Sequence, residues 1–186
     1  VASGTTATFA NITATSFTSG TDTITINGTT GGETIRGPNI ATTILGNAGN
    51  DSLTGGSGND NLNGGNDNDT LDGSDGADSL TGGSGDDVYL FNTNDIDAGE
   101  TITEAASGGT DTISIITTTD FTNMPTSSFD EIEVINFGGA SQTATFKGTQ
   151  LTGETLVLTE TAAGTSALVL NVGTGENANF ANITAT

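Results

Sequence analysis

The 186-residue chain contains no cysteine, histidine or tryptophan, and only two basic residues, Arg36 and Lys147, stand against 23 acidic ones. The formal net charge of -21 argues against nucleic-acid binding, because the chain lacks the cations that displace phosphate counterions. Without cysteine and histidine there are no disulfides, thiolates, imidazole bases or usual zinc ligands. No apolar run approaches the roughly 20 residues that cross a bilayer. Carboxylate and carbonyl oxygens remain, and these are the ligands that hard divalent cations prefer.

The chain also offers little material for catalysis. A paired-carboxylate hydrolase would need an acid whose pKa is raised by an apolar setting. Only Glu131 and Glu133 come near one, in the run 131–137 (EIEVINF). They alternate with apolar residues there, which predicts the outer face of a half-buried strand. We therefore expect no enzymatic activity.

The abundant residues indicate β structure. Threonine favours strands, and 28 glycines together with Asn and Asp favour turns. The sequence has only two prolines, and its Ile, Val, Leu and Phe residues recur in short patterned runs, so the chain is not simply disordered. This composition predicts an all-β protein.

A nine-residue repeat organises the first half of the chain. Glycine recurs at every ninth position, and seven residues after each glycine lies one large apolar residue. The glycines are at 28, 37, 46, 55, 64, 73 and 82, and the apolar residues are Ile35, Ile44, Leu53, Leu62, Leu71, Leu80 and Tyr89. Two residue classes held in one register over so many copies indicate a repeat architecture.

The five sharpest copies occupy residues 46–90, which we call the repeat array. They read GNAGNDSLT, GGSGNDNLN, GGNDNDTLD, GSDGADSLT and GGSGDDVYL. This pattern resembles the repeats-in-toxin (RTX) motif G-G-x-G-x-D-x-U-x, in which U is a large apolar residue. Copies 55–63 and 82–90 match it fully; the departures are Asn47 and Ser74 at the second glycine and Asp67 at the fourth position.

The resemblance implies a right-handed parallel β-roll or β-helix solenoid, here with flanking β-strands. Two nonapeptides form one coil, so that each turn lies over the turn two repeats later, and stacked coils are roughly 4.8 Å apart. The eighth-position apolar residues then point inward. We divide the chain into an N-terminal strand segment (1–27), the β-roll (28–90) and a C-terminal β-strand region that continues or caps the solenoid (91–186). Residues 122–128 (TNMPTSS) are the best candidate for a long loop.

Stacking brings the sixth-position aspartates of alternate repeats together. Like charges about 5 Å apart repel by roughly 1–3 kcal/mol, and the repeat array contains no Lys or Arg. Calcium accepts six to eight oxygens, whereas Mg²⁺ requires a small octahedral site and retains its waters. We therefore predict Ca²⁺ ligation by a register of aspartates, with lower weight on the first-position glycine carbonyls. The predicted ligands are Asp51, Asp60, Asp69, Asp78 and Asp87, with Gly46, Gly55, Gly64, Gly73 and Gly82.

Three ions are expected, between Asp51 and Asp69, Asp60 and Asp78, and Asp69 and Asp87. A fourth, weaker site would join Glu33 to Asp51, whereas residues 37–42 (GPNIAT) lack an acid and predict a metal-free turn. Any single aspartate in such a context is commonly a solvated turn residue. The calcium prediction therefore depends on finding an aspartate at the same position of all five repeats. The other acids of the array are expected to be exposed (Asp67, Asp72, Asp75 and Asp86). A later group would hold one further ion or form a solvated loop (Asp95, Asp97, Glu100, Glu104 and Asp111).

The heptapeptide FANITAT occurs at 9–15 and again at 180–186. The two copies are either equivalent edge strands or the mark of a tandem array, and we expect Val1 to begin a fragment or an excised repeat. The leading hypothesis is a calcium-dependent structural module of a secreted, self-assembling bacterial surface protein: a surface layer, fibre or giant adhesin. Its partners would be further copies of the chain, joined end to end, with a cell-surface glycan as a further candidate. The alternative is the C-terminal calcium-folding and secretion module of a type I-secreted protease, lipase or toxin. Both imply an extracellular or cell-surface location.

Overall fold

The computed structural model describes residues 4, 6–8, 24–105, 108–151, 155–161, 164–171 and 183–185. These residues form 17 short strands and one 3₁₀ helix, η1. The first nine strands are β1 (Thr6–Thr8), β2 (Ile24–Asn27), β3 (Thr34–Arg36), β4 (Thr42–Ala48), β5 (Ser52–Ser57), β6 (Asn61–Asn66), β7 (Thr70–Asp75), β8 (Ser79–Ser84) and β9 (Val88–Phe91). The later elements are β10 (Thr101–Thr103), β11 (Thr112–Ile115), β12 (Thr119–Asp120), η1 (Thr126–Phe129), β13 (Val134–Phe137), β14 (Thr143–Lys147), β15 (Leu156–Glu160), β16 (Ala167–Asn171) and β17 (Ile183–Ala185).

All strand pairings among the described residues are parallel. The odd-numbered strands form a nine-stranded sheet in the order β1-β3-β5-β7-β9-β11-β13-β15-β17. Opposite it lie a five-stranded sheet, β10-β8-β6-β4-β2, and a three-stranded sheet, β12-β14-β16. Consecutive strands therefore alternate between sheets, and this is the path of a solenoid. The all-β class and the parallel solenoid predicted from the repeats are confirmed.

The register of the array follows directly from the nonapeptide period. Leu53 pairs with Leu71 in one sheet, and Leu62 pairs with Leu80 in the other. Hydrogen bonds that link equivalent positions of stacked coils span 18 residues in the array, and 24 and then 22 residues beyond it. The C-terminal coils, which we define as residues 91–171, therefore keep the stacking but lose the fixed period.

The core changes composition along the solenoid. In the array, each strand buries one eighth-position residue. Leu53, Leu71 and Tyr89 form one thin stack, and Leu62 and Leu80 form the other. In the C-terminal coils the interior is wider and aromatic: Phe121 stacks on Phe146 at 4.6 Å between ring centroids. Phe91 and Phe129 contact this pair edge-on at 5.2 Å. Such pairs contribute beyond the area that they bury.

One detail of the C-terminal prediction is wrong. The strand expected over 131–137 begins only at Val134, and Glu131 occupies a turn with a φ of 62°. The predicted loop 122–128 contains the start of η1, whose Ser128 and Phe129 are buried. The Ser128 hydroxyl accepts a hydrogen bond from Ile102 N at 3.2 Å, so this segment packs onto the solenoid.

The two FANITAT copies lie mostly outside the described residues. Nothing in 9–15 is described, and of 180–186 only 183–185 are, as β17. Within the part of the chain that the structure describes, no helix has the length and apolar character needed to cross a membrane.

Candidate metal centre

The five sixth-position aspartates are buried, at 0 to 3 % exposure, one residue before each strand of the array. The Oδ1 atom of each accepts a hydrogen bond from a backbone N–H of the coil before it, 18 residues earlier. These bonds form two rows along the solenoid, one on each face, which we call the aspartate ladders. The donors are Glu33 N to Asp51 at 2.6 Å, and Thr42 N to Asp60, Asp51 N to Asp69, Asp60 N to Asp78 and Asp69 N to Asp87, each at 2.7 Å.

The second oxygen of each carboxylate has no hydrogen-bond partner. Oδ2 is buried and unpartnered in the same five residues, and no other described side-chain atom shares that state. A buried carboxylate oxygen without a partner is costly, because it gives up hydration and receives nothing in return. Five such atoms in one register indicate a common ligand rather than five separate packing defects.

Because the first-position glycines have no side chain, they leave space in which the Oδ2 atoms and the carbonyl oxygens of the next coil approach each other. A Cβ added at Gly46 would collide with Asp51 Oδ2 and with the carbonyl oxygen of Gly64 on the next coil. At Gly55 the corresponding atoms are Asp60 Oδ2 and the Gly73 carbonyl oxygen, which is 2.7 Å from the added Cβ. These glycines are needed for space rather than for a positive φ. The carbonyls of Gly46 and Gly55 face Gly28 and Gly37 in the same way.

This donor set suits Ca²⁺. It contains only oxygens, contributed by carboxylates and carbonyls of adjacent coils, and Ca²⁺ accepts six to eight of them in flexible geometry. The residues that would hold an ion are the sixth-position aspartate and the facing first-position carbonyl. The ion would supply the positive charge that the array lacks. The ligand assignment and the count of three ions stay predictions.

Burial perturbs the titration of these acids. Desolvation raises the pKa of Asp60 to about 7, and the Asp78 carboxylate adds to the shift. Desolvation also raises the pKa of Asp69 to about 7, and those of Asp78 and Asp87 to about 6. Without an ion, the array carboxylates therefore bind protons more tightly than ordinary aspartates do, as expected where buried negative charge has no counter-charge.

Glu33, at the first end of the ladder, differs from the aspartates. Its carboxylate accepts hydrogen bonds from Thr29 N at 2.9 Å, the Thr29 hydroxyl at 2.7 Å and Gly4 N at 3.1 Å. The bonds from Thr29 lower the pKa of Glu33. Both carboxylate oxygens of Glu33 therefore have protein donors, whereas each array aspartate has a donor on Oδ1 only. On the opposite face Thr42 occupies the acidic position, as predicted from GPNIAT.

The acidic ladders continue beyond the nonapeptides, which sequence reasoning largely missed. On one face Asp111 accepts from Asp87 N at 2.9 Å, and Glu133 accepts from Asp111 N at 2.7 Å. On the other face Glu100 accepts from Asp78 N at 2.8 Å, and desolvation raises its pKa to about 9. The interpretation of Glu133 as an outward strand residue is wrong. A signal was present: each of these acids lies two residues before a buried Ile, as in the nonapeptides.

The five later acids do not form one cluster. Glu100 extends one ladder, whereas Asp111 extends the other beside Glu104. Asp95 accepts a hydrogen bond from Asn92 N. Of the array acids expected at the surface, Asp72 is only half-buried, and the rest are exposed (Asp67, Asp75 and Asp86).

A second ladder of fifth-position side chains runs beside the aspartates and was not predicted. Asn50 Oδ1 accepts from Asn68 N at 3.2 Å, and Asn68 Oδ1 accepts from Asp86 N at 2.9 Å. Asn59 accepts from Ala77 N at 3.2 Å on the other face. These exposed bonds link the turns of successive coils without any buried charge.

The three departures from the RTX motif retain its turn geometry. Asn47, Asp67 and Ser74 have φ values of 84°, 74° and 67°, in the left-handed region that glycine occupies at the equivalent positions of other repeats. Asn and Asp adopt this region more readily than most residues.

The comparisons with known proteins agree with this geometry. The family model described as RTX calcium-binding nonapeptide repeat (4 copies) matches residues 41–71 and 63–92. No curated protein and no solved structure gives a significant match to the chain. RTX repeats bind Ca²⁺ and act as structural modules. The repeats, the parallel solenoid and the buried aspartate ladders together identify residues 41–92 as a β-roll similar to the RTX calcium-binding nonapeptide repeat.

Proposed function

We propose that the chain is a calcium-stiffened module of an extracellular, self-assembling bacterial surface protein, joined end to end with further copies. A surface layer, a fibre and a giant adhesin all fit this role. The proposal rests on the two ends of the long sheet, and on the calcium-binding array between them.

The nine-stranded sheet begins with β1 and ends with β17. Within the described residues β1 pairs only with β3, and β17 pairs only with β15. A terminal strand has unpaired N–H and C=O groups that favour pairing with another chain. Because every pairing is parallel, the two ends are different surfaces. Copies would therefore join head to tail, and such contacts give an open filament when the rotation between units does not close a ring.

The repeated heptapeptide supports this arrangement. β17 lies inside the second FANITAT copy, and the first copy directly follows β1 in the sequence. Identical terminal sequences are expected if one unit continues into the next. The charge of -21 opposes contact between units, so we expect assembly to require calcium.

Deletion of residues 1–15, which removes β1, tests the proposal. Full-length protein in millimolar Ca²⁺ should form filaments in electron micrographs, and the deletion variant should remain monomeric by light scattering. Deletion of residues 1–5 is the matched control, because it leaves β1 intact and should preserve assembly. Circular dichroism in calcium should give the same strand signal for all three proteins.

Two results would contradict end-to-end assembly: a full-length chain that stays monomeric throughout the millimolar calcium range, or a 1–15 deletion that polymerises like the parent. The gene sequence on both sides of Val1–Thr186 gives a separate test. A catalytic domain ahead of the repeats, with no further copy of this unit, would identify the secretion module of an exported enzyme or toxin instead.

A further inference from the structure

We propose a further cation site at the C-terminal end of the array, formed by the carboxylates of Asp87, Glu104 and Asp111. It lies partly outside the nonapeptides: Glu104 and Asp111 belong to no repeat and follow the residues that the family model matches. It is independent of self-assembly, so it goes beyond the function proposed above.

The three carboxylates converge on one point. One oxygen from each lies within 4.8 Å of the others. Two oxygens bound to the same Ca²⁺ at 2.3–2.6 Å are at most about 5 Å apart. The group is therefore compact enough for a single ion to contact all three side chains.

A separate observation indicates that this space takes a ligand. Asp87 is fully buried, and its Oδ2 has no hydrogen-bond partner. That atom lies in the space beside Gly82, where an added Cβ would also meet Glu104 Oε1 at 2.5 Å and the Tyr89 hydroxyl at 2.6 Å. An unsatisfied buried oxygen is thus directed at a glycine-lined space that a second carboxylate enters.

Each ligand is held by a different part of the fold. Asp111 sits on the coil after Asp87 and accepts its backbone N–H at 2.9 Å. Glu104 follows β10 of the opposite sheet and accepts a hydrogen bond from Gly83 N at 3.4 Å. The Tyr89 hydroxyl accepts from Gly82 N at 2.7 Å and donates to Glu104 Oε1. The tyrosine therefore positions Glu104 at the margin of the site.

The site differs in charge from those inside the array. An ion between two stacked repeats meets two sixth-position aspartates, whereas this one would meet three carboxylates. More carboxylates favour hard cations of higher charge, so the site should take Ca²⁺ and bind a trivalent lanthanide such as Tb³⁺ more strongly. Since Asp87 belongs to both the ladder and this site, the bound ion would fix the last array coil to the first C-terminal coil.

The chain has a built-in reporter for this site. Tyr89 is the only tyrosine and there is no tryptophan, so Tb³⁺ emission excited in the tyrosine band comes from ions near Tyr89. In the full chain we expect strong sensitised emission that added Ca²⁺ reverses. Glu104→Gln should lose one bound Ca²⁺ per chain in equilibrium dialysis and most of the emission. Asp60→Asn, on the other face, should retain the emission.

Tyr89→Phe separates the reporter from the ligands. It should bind as many Ca²⁺ ions as the parent and give no sensitised emission. Circular dichroism at saturating calcium checks that each variant folds, and Asp111→Asn replaces Glu104→Gln if that variant does not. A folded Glu104→Gln protein that binds the parental number of ions overturns the proposal. Tyrosine-sensitised emission in the parent that excess Ca²⁺ leaves unchanged overturns it as well.

Discussion

The repeat array and the C-terminal coils share one continuous sheet but differ in how the buried polar side chains of their turns find partners. In the array, five buried carboxylates each leave one oxygen without a partner. In the C-terminal coils, no described buried side-chain oxygen or nitrogen lacks a partner, and two of the buried polar residues are glutamines. Gln150 Nε2 donates to the carbonyls of Phe121 and Met124 at 2.8 Å, and its Oε1 accepts from Lys147 N at 2.6 Å. The amide needs no ion, because it carries both donors and acceptors.

The interiors follow the same division. Each strand of the array buries a single Leu or, at the end, Tyr89, whereas the C-terminal coils bury four phenylalanines in one aromatic cluster. In a thin aliphatic stack the favourable free energy from burial is small and the buried carboxylates repel one another. We therefore expect the array to depend on a cation, and the C-terminal coils to fold through their own packing.

Removal of calcium should have the largest effect. The array should unfold, because ion binding supplies its folding free energy, while the C-terminal coils retain their strands. Hydrogen exchange measured by mass spectrometry in EGTA and in millimolar Ca²⁺ would locate the change within residues 46–90. Equal protection of the array in both conditions would remove the proposed distinction.

Acidification should stabilise the calcium-free array. The pKa values of Asp60 and Asp69 are raised to about 7 from an ordinary value of 3.8, so the folded array binds protons more tightly than the unfolded chain. The resulting stability is present in full below pH 3.8 and is lost as the pH rises through about 7. Circular dichroism in calcium-free buffer should therefore show more strand at about pH 4.5 than at about pH 8. With calcium present the trend should reverse, because protons compete with the ion.

A substitution in the aromatic core of the C-terminal coils should have the next largest effect on stability. Phe121→Ala should lower the free energy of unfolding by about 3–5 kcal/mol, because it leaves a cavity between Phe91, Phe129 and Phe146. The loss should be the same with and without calcium, as read from the denaturation of the C-terminal coils in urea. Ile116→Ala is the control, since Ile116 is 41 % exposed. A loss that disappears in EGTA would mean that the two regions unfold as one.

Within the array, Asp69→Asn should cost more than Asp51→Asn. Asp69 faces an aspartate on both neighbouring coils, whereas the earlier neighbour of Asp51 is Glu33, which Thr29 already satisfies. The difference should be one ion, or about 2.7 kcal/mol when free calcium is 100 times its Kd. Calcium stoichiometry and urea denaturation measure it. Equal losses in the two variants would argue against ions shared between alternate repeats.

Gln150→Ala should have the smallest effect, about 1–3 kcal/mol, because it removes the donor to the Met124 carbonyl and the acceptor for Lys147 N. The Phe121 carbonyl loses one bond but keeps the one from Met124 N at 3.0 Å. The cost should not depend on calcium. Thr149→Ala, at the adjacent half-buried position, is the matched control for thermal denaturation. If the cost of Gln150→Ala depended on calcium, the stability of this turn would be coupled to that of the array.

The sequence predicted those parts of the fold that depend on a fixed spacing. The pairing of Leu53 with Leu71 and the burial of Asp69 follow from a period of nine, since any two copies must occupy equivalent places. Glu133 was misread because the coils after Tyr89 have unequal lengths, so no period connects it to Asp111. The contacts of Gln150 and Phe121 depend on side chains far apart in the chain. No local pattern indicates these contacts.

The direction of the ladders has a mechanical consequence. Backbone and carboxylate hydrogen bonds between coils, such as Asp51 N to Asp69 Oδ1, run along the solenoid axis. A tensile load on the two ends therefore pulls on these bonds one coil at a time, as in peeling, and not on a whole sheet in shear. Ions bound between successive coils would strengthen the contacts that this load must break. The force needed to extend the molecule should then rise with calcium concentration, and the array should yield in steps of one coil.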